Sequence, residues 1–266
     1  MVAGPPRESL PVPPAVLAVA AGRLVHLVWR NELGGLTFEI GSGQERCFCK
    51  WSPAMSPIGP DAERLRLEWA GAWGGVPALL SHGRDAAGSW IVTRAMPGEN
   101  AMAARWKSEP RTAVKAIGRA LRAFHDRLPI ASCPFSSSPQ VQLTDIRRHA
   151  AAGRLPRSSW HPSHRSLELS DALARLQDPP PTDVLVVCHG DACTPNTLID
   201  DEGQFSGHVD LGGLGVADRW ADLAVATWST QWNFGPEWVG ALLDAYGVAA
   251  DPERTRYYRL LWDLTF

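Results

Sequence analysis

The 266-residue chain predicts an α+β protein in two lobes: an N-terminal antiparallel sheet with one helix, then a mainly helical C-terminal lobe. Three observations carry this. Short apolar runs with alternating polarity, separated by glycine turns, fill the first third of the chain. A long stretch of 3.6-residue periodicity, with Val114, Ile117, Leu121 and Phe124 on one stripe, begins at Arg111. Between them Met96-Pro97-Gly98 breaks the chain, and it is the expected hinge between lobes 1–95 and 96–266.

The elements follow in order. Residues 1–14 are proline-rich and expected to be extended or frayed. Val25–Arg30, Leu36–Ile40 and Arg46–Trp51 read as strands, with Gly34-Gly35 and Gly41-Ser42-Gly43 as turns. Asp61–Trp73 reads as a helix capped by Asp61 after Pro60. Trp90–Arg94 is a further strand. Arg111–Leu128 is the long helix, followed by shorter ones over Asp145–Ala151 and Ser166–Leu176. Val184–Cys188 is a buried strand, Thr197–Ile199 and His208–Val209 form a hairpin, and from Asp218 onward the pattern is helical.

Composition excludes several classes. A net charge of −2 rules out bulk electrostatic binding of nucleic acid. No apolar run reaches the ~18 residues of a membrane span, and the prolines at the N-terminus interrupt any signal-peptide core. The five cysteines contain no C-x-x-C pair; a zinc site is rejected and reduced thiols in a cytoplasmic protein are expected. A monomer is expected. The charge is uneven: residues 170–266 hold 15 Asp+Glu against 5 Lys+Arg. That excess suggests a cationic small-molecule substrate, or simply a solvated acidic surface.

The informative stretch is His189-Gly190-Asp191-Ala192-Cys193-Thr194-Pro195-Asn196, followed by Val209-Asp210-Leu211-Gly212. A carboxylate, an amide five residues on and a later carboxylate are the parts of Mg²⁺-dependent phosphoryl transfer. Asp191 can take the proton of an attacking hydroxyl. Asn196 and Asp210 offer the hard oxygens that Mg²⁺ prefers. A turn-forming Asp after a strand is the plain alternative for Asp191, and the spacing of all three outweighs it. His189 is read as orienting the loop, His125 as a core histidine, and Asp218 and Asp222 as first-turn carboxylates of a helix. Lys50 is either an exposed strand lysine or a phosphate ligand aimed by Glu63, with Glu68 as second choice. Gly34 and Gly35 permit close backbone approach to phosphates. Of the twelve tryptophans, most belong to the core; one or two could line a sugar site.

With these residues in view, the chain resembles the aminoglycoside phosphotransferases. VVCHGDACTPNTLID and GHVDLGGLGVADRWADLA carry the resemblance, with Cys49-Lys50, the Glu63–Trp69 segment and the C-P-F run at Cys133–Phe135. The resemblance implies a bilobal, protein-kinase-like fold and ATP, with GTP as alternative, as donor with Mg²⁺. It implies Asp191 as base, Asn196 and Asp210 as metal ligands, Lys50 with Glu63 at the phosphates, and the backbones of Thr93 and Ala95 at adenine. Leu33 stands where related enzymes often place serine, so backbone N–H groups alone would hold phosphate there. GLGVADRWADLA looks closest to the streptomycin 3''-phosphotransferases; the ending also resembles the kanamycin and neomycin 3'-phosphotransferases, though Asp263 replaces an Asp-Glu pair. Asp263 by position, Asp218 or Asp222, and Phe266 are the implied substrate contacts. A kinase of another hydroxylated metabolite and a non-catalytic nucleotide-binding module are the competing readings. A protein kinase is disfavoured, because the segment after Asp210 is too short for an activation loop.

Overall fold

The computed structural model describes Gly4, residues 10–57 and residues 59–265. Most of the proline-rich start, and Phe266, lie outside the described residues. The chain divides into two compact units, Met1–Pro97 and Gly98–Phe266.

In the first unit α1 (Pro14–Ala20) precedes β1 (Val25–Arg30), β2 (Leu36–Ile40) and β3 (Cys47–Pro53); α2 (Asp61–Ala70), β4 (Leu79–Arg84) and β5 (Gly88–Arg94) follow. The five strands form one antiparallel sheet in the order β1-β2-β3-β5-β4. Strand alternation buries Leu36, Phe38 and Ile40 of β2 with Cys47 and Cys49 of β3, and α1 packs Val16 and Ala20 onto them. Lys50, between Cys49 and Trp51, therefore points to the other face. Asp61 does not cap α2: Pro60 occupies the cap position, and the Asp61 carboxylate accepts a hydrogen bond from Arg84 at 2.6 Å.

The second unit contains β6 (Glu99–Asn100), α3 (Ala104–Ser108), α4 (Pro110–Arg127), α5 (Pro139–Ala151) and α6 (Leu169–Arg175). Next come β7 (Leu185–Cys188), β8 (Thr197–Ile199), β9 (Phe205–His208) and β10 (Gly215–Asp218). Helices α7 (Trp220–Asn233), α8 (Val239–Tyr246) and α9 (Pro252–Thr265) complete it. Its core gathers the apolar stripe of α4 with Trp106, Trp160, Trp220 and the inner faces of α7, α8 and α9. Gly118 lets α4 approach α8 closely, since a side chain there would meet the Leu242 carbonyl. Two small ribbons, β7 with β10 and β6-β8-β9, carry the functional loops. The Cys133–Phe135 run leads into a one-residue bridge from Ser136 to Val216, which extends the β7–β10 ribbon. Among the described residues no helix is long and apolar enough to cross a membrane.

Candidate active site

Strand β7 is buried from Val186 to Cys188 and delivers His189, Gly190 and Asp191 at its end. Gly190 adopts φ +88°, and a side chain on it would fall on the Gly213 carbonyl. The loop after β7 and the loop after Asp210 thus touch backbone to backbone, which only glycine permits. His189 ties them further. Its Nε2 lies 2.9 Å from the Val209 carbonyl, and its Nδ1 accepts from the Asp191 N–H at 3.2 Å. These partners require the neutral imidazole with the proton on Nε2. The orienting role read from the sequence fits this geometry.

Asp191 sits in a complete frame. Asn196 Nδ2 donates to its main-chain oxygen at 2.9 Å and to Oδ2 at 3.1 Å. Trp262 Nε1, from α9, donates to Oδ1 at 3.2 Å. The Cys193 thiol also hydrogen-bonds the carboxylate. Burial, and then the charge of Asp210, push the Asp191 carboxyl above its ordinary value against the pull of these donors. Asp210 itself lies in the left-handed region, at φ 67° and ψ 56°. That conformation is costly for a residue with a side chain, and aspartate tolerates it better than most. The Val209 N–H donates to the Asn196 carbonyl at 3.0 Å, fixing one loop against the other.

The two remaining aspartates have structural duties. Asp222 is 0 % exposed. Its Oδ2 accepts from the His189 N–H at 2.6 Å and from His125 Nε2 at 2.9 Å, and its Oδ1 from the Gly190 N–H at 2.9 Å. Burial raises its carboxyl, but the His125 hydrogen bond and charge, with the other donors, outweigh this and hold it below the usual carboxylate range. His125 is the core histidine expected, with Tyr246 Oη 2.8 Å from its Nδ1. Cys188 is close enough to complete a metal-like trio with His125 and Asp222. The direct His125–Asp222 hydrogen bond and a thiol pushed well up by burial make it a hydrogen-bonded support for the loop. Asp218 accepts from the N–H groups of Asp183 and Trp220 at 2.5 and 2.8 Å. Both were candidates for substrate contact. Buried and occupied, neither can serve a solute, and that expectation is corrected. Asp263 is also committed: it accepts from the His161 N–H and from His164 Nδ1, at 2.9 and 2.6 Å.

In the first unit Lys50 Nζ lies 2.7 Å from both carboxylate oxygens of Glu63. Helix α2 buries Glu63, Leu67 and Ala70, at i, i+4 and i+7, so Glu63 is on its inward face. The second choice, Glu68, pairs with Arg64 on the surface. The turn after β1 differs from expectation. Asn31 Oδ1 accepts from Leu33 N–H at 3.0 Å and Gly35 N–H at 2.7 Å, while the Asn31 carbonyl takes Gly34 N–H at 3.3 Å. The N–H groups expected to meet phosphate are closed onto Asn31. At the other end, Thr93 is flanked by Phe48 and Leu79 inside the sheet. The Ala95 N–H, expected at adenine, instead donates to the Arg46 carbonyl at 3.0 Å, because the β3–β5 ladder runs one residue further.

Residues 38–258 match the model of the phosphotransferase enzyme family. The chain belongs to this family. It is 36% identical over 269 residues to a streptomycin 3''-kinase of Streptomyces griseus, covering 94% of this chain and 92% of that one. It is 32% identical over 251 residues to an aminoglycoside 3'-phosphotransferase of Streptomyces fradiae, covering 89% and 93%. Among solved structures, an aminoglycoside 3'-phosphotransferase of type VIII superposes with TM-score 0.82 at 30% identity, over 94% of this chain and 97% of that one. An aminoglycoside phosphotransferase of Streptomyces rimosus, in complex with ADP and streptomycin, gives 0.77 at 28% identity, over 95% and 97%. The expected α+β, kinase-like fold is therefore that of this family of phosphotransferases, and the chain is an enzyme of it.

Three contacts escaped the sequence: Trp262 and Cys193 on Asp191, and Asn31 in the β1–β2 turn. Cys193 carried a usable signal, since it lies two residues from the base. Trp262 carried none, being 71 residues away.

Proposed function

We propose that the chain is an ATP-dependent aminoglycoside O-phosphotransferase, with streptomycin as acceptor and its 3''-hydroxyl as the position phosphorylated. One observation carries the reading: Asp191, fixed by Asn196 and Trp262, beside the strained Asp210. Asp191 accepts the proton of the acceptor hydroxyl as its oxygen bonds to the γ-phosphorus; the bridging bond to the β-phosphate breaks and ADP leaves. Asn196 Nδ2 is turned to Asp191, so its Oδ1 faces the other way and, with the Asp210 carboxylate, makes a hard-oxygen donor set that suits Mg²⁺. When bound, the ion would neutralise charge on the nucleotide phosphates. Lys50, aimed by Glu63, is assigned to nucleotide phosphate, and the ADP-bound relative supports ATP as donor. The greater identity to the streptomycin kinase favours streptomycin; the similarity to 3'-phosphotransferases makes kanamycin and neomycin the alternative. ATP as donor also fits a cytoplasmic place of action.

The test is ADP release by the purified chain with ATP, Mg²⁺ and each of streptomycin, kanamycin and neomycin. Turnover of streptomycin is expected. Turnover of kanamycin without streptomycin moves the assignment to the 3'-position, and turnover of none of them ends the aminoglycoside reading. Glu63→Ala leaves Lys50 unaimed and is expected to raise KM for ATP roughly tenfold, with KM for the acceptor unchanged. An ATP KM that does not move would separate the pair from the nucleotide.

A further inference from the structure

Deepening the proposed activity, and resting on it for the identity of the acceptor, a second question concerns what holds a cationic substrate. The acidic balance of residues 170–266 suggested carboxylates. The structure places the three candidate carboxylates elsewhere: Asp218 and Asp222 are buried under backbone donors, and Asp263 is tied to His161 and His164. Aromatic rings instead lead outward from the base. Trp262, hydrogen-bonded to Asp191, lies 6.2 Å from Trp228 and 6.4 Å from Trp232, centroid to centroid. Trp228 and Trp232 are one turn apart on α7, at 4.8 Å. His161 stacks on Trp232 at 5.1 Å with 21° between planes. Asp263 accepts from the main-chain N–H of His161, and Ser163 Oγ, 2.7 Å from its Nδ1, holds the imidazole ring.

We propose that Trp232, stacked on His161 and joined to Asp191 through Trp262, is a subsite that holds a planar guanidinium group of the acceptor. Trp228 shows the contact already made within the protein: the Arg259 guanidinium lies over its ring at 5.4 Å. Arg259 has no carboxylate partner among the described residues; its donors go to the Ala224 carbonyl and Thr227 Oγ1. A ring face is thus what steadies a half-buried guanidinium here. Trp232 is 44% exposed, and among the described residues no cation covers it. The exposed part of the indole is thus available to a ligand. A flat, weakly hydrated guanidinium stacks on indole better than an ammonium does, which keeps its water. The wall therefore selects guanidino acceptors over purely amino ones. His161 on the reverse side lends the indole rigidity and adds no carboxylate.

Two measurements test this. In steady-state kinetics Trp232→Ala is expected to raise KM for streptomycin about tenfold and leave KM for ATP unchanged, with Trp232→Phe restoring it to within about threefold. In ¹H–¹⁵N spectra the Trp232 indole resonance, assigned by its loss in Trp232→Phe, is expected to shift with methylguanidinium chloride and not with methylammonium chloride. A streptomycin KM indifferent to Trp232→Ala, or an indole indifferent to methylguanidinium, overturns the subsite while leaving the kinase reading intact. A wild-type protein that phosphorylates no aminoglycoside but shows the indole shift ends the aminoglycoside reading and keeps the subsite.

Discussion

Asp191→Asn should reduce kcat by about 10²–10⁴-fold, the range for loss of a general base, with KM for ATP within about twofold of wild type. The expectation rests on what surrounds the carboxylate. Both oxygens accept: Oδ1 from Trp262 Nε1 and Oδ2 from Asn196 Nδ2. An asparagine has one acceptor oxygen, so its amide must turn an N–H toward either the indole or the Asn196 amide. The variant loses the basic oxygen and also gains a donor facing a donor. Asp191→Ala avoids that opposition but removes the carboxylate that the Trp262 N–H donates to, so both should be inactive for different local reasons. Stopped-flow or coupled ADP release with streptomycin measures the effect, and thermal unfolding checks the fold. A variant that retains more than about a tenth of wild-type kcat would remove Asp191 from the role of base and point to substrate or solvent as the proton acceptor.

How far the sequence could be read depended on whether a residue's environment is local. β1 and β2 were legible to the residue: alternation in LTFEI matches one buried face, and VHLVWR keeps its strand character although its register shifts between Leu27 and Trp29 and none of its residues is buried. β4 was not. It is exposed along most of its length and its Gly83 lies under the Trp90 ring, so neither alternation nor side-chain bulk marks it. α1 follows Pro13 and starts at Pro14, where proline at the first turn is compatible with a helix but reads as a breaker in a proline-rich segment. β10 is four residues of small and mixed character, and its pairing with β7 depends on a partner thirty residues back. At the site, spacing alone brought Asp191, Asn196 and Asp210 to notice, because the loops between them are short. Asp218 and Asp222 were read as carboxylates at the start of a helix, and Asp222 lies in the first turn of α7 while Asp218 accepts from the Trp220 N–H; that these two and Asp263 are tied to protein donors and not to a solute was not legible, since net charge does not say which carboxylates are buried. Asp222 did carry a signal. It is the single acid in a helix otherwise apolar nearly all round, Trp220 to Trp228, and such an acid must have buried donors waiting for it.

Those donors make Asp222 the most consequential residue away from the chemistry. Asp222→Ala would strip partners from the His189 N–H, the Gly190 N–H and His125 Nε2 at once, the first and last of them buried. Leaving a buried donor without its acceptor costs about 1–3 kcal/mol, and losing the acceptor of three at once should lower Tm by roughly 10 °C. Activity should fall with it, since the Gly190 N–H anchors the peptide that carries Asp191. Asp222→Asn distinguishes charge from shape. It keeps the size but must aim an amide N–H at one of the three donors. The pH dependence follows from the depressed folded-state value of Asp222. A carboxyl whose folded value lies below its unfolded value, about 3.9 for a free aspartate, contributes its full stability above that pH. The contribution is lost as pH falls through the folded value. The Tm gap between wild type and Asp222→Asn should therefore be constant from about pH 8 to pH 5 and narrow only below about pH 4. Calorimetry across that range reads it directly. A gap that closes already near pH 6 would contradict the depressed folded-state value of Asp222, and a variant matching wild-type Tm at neutral pH would mean that the loop is anchored by the Gly190–Gly213 contact and His189 alone.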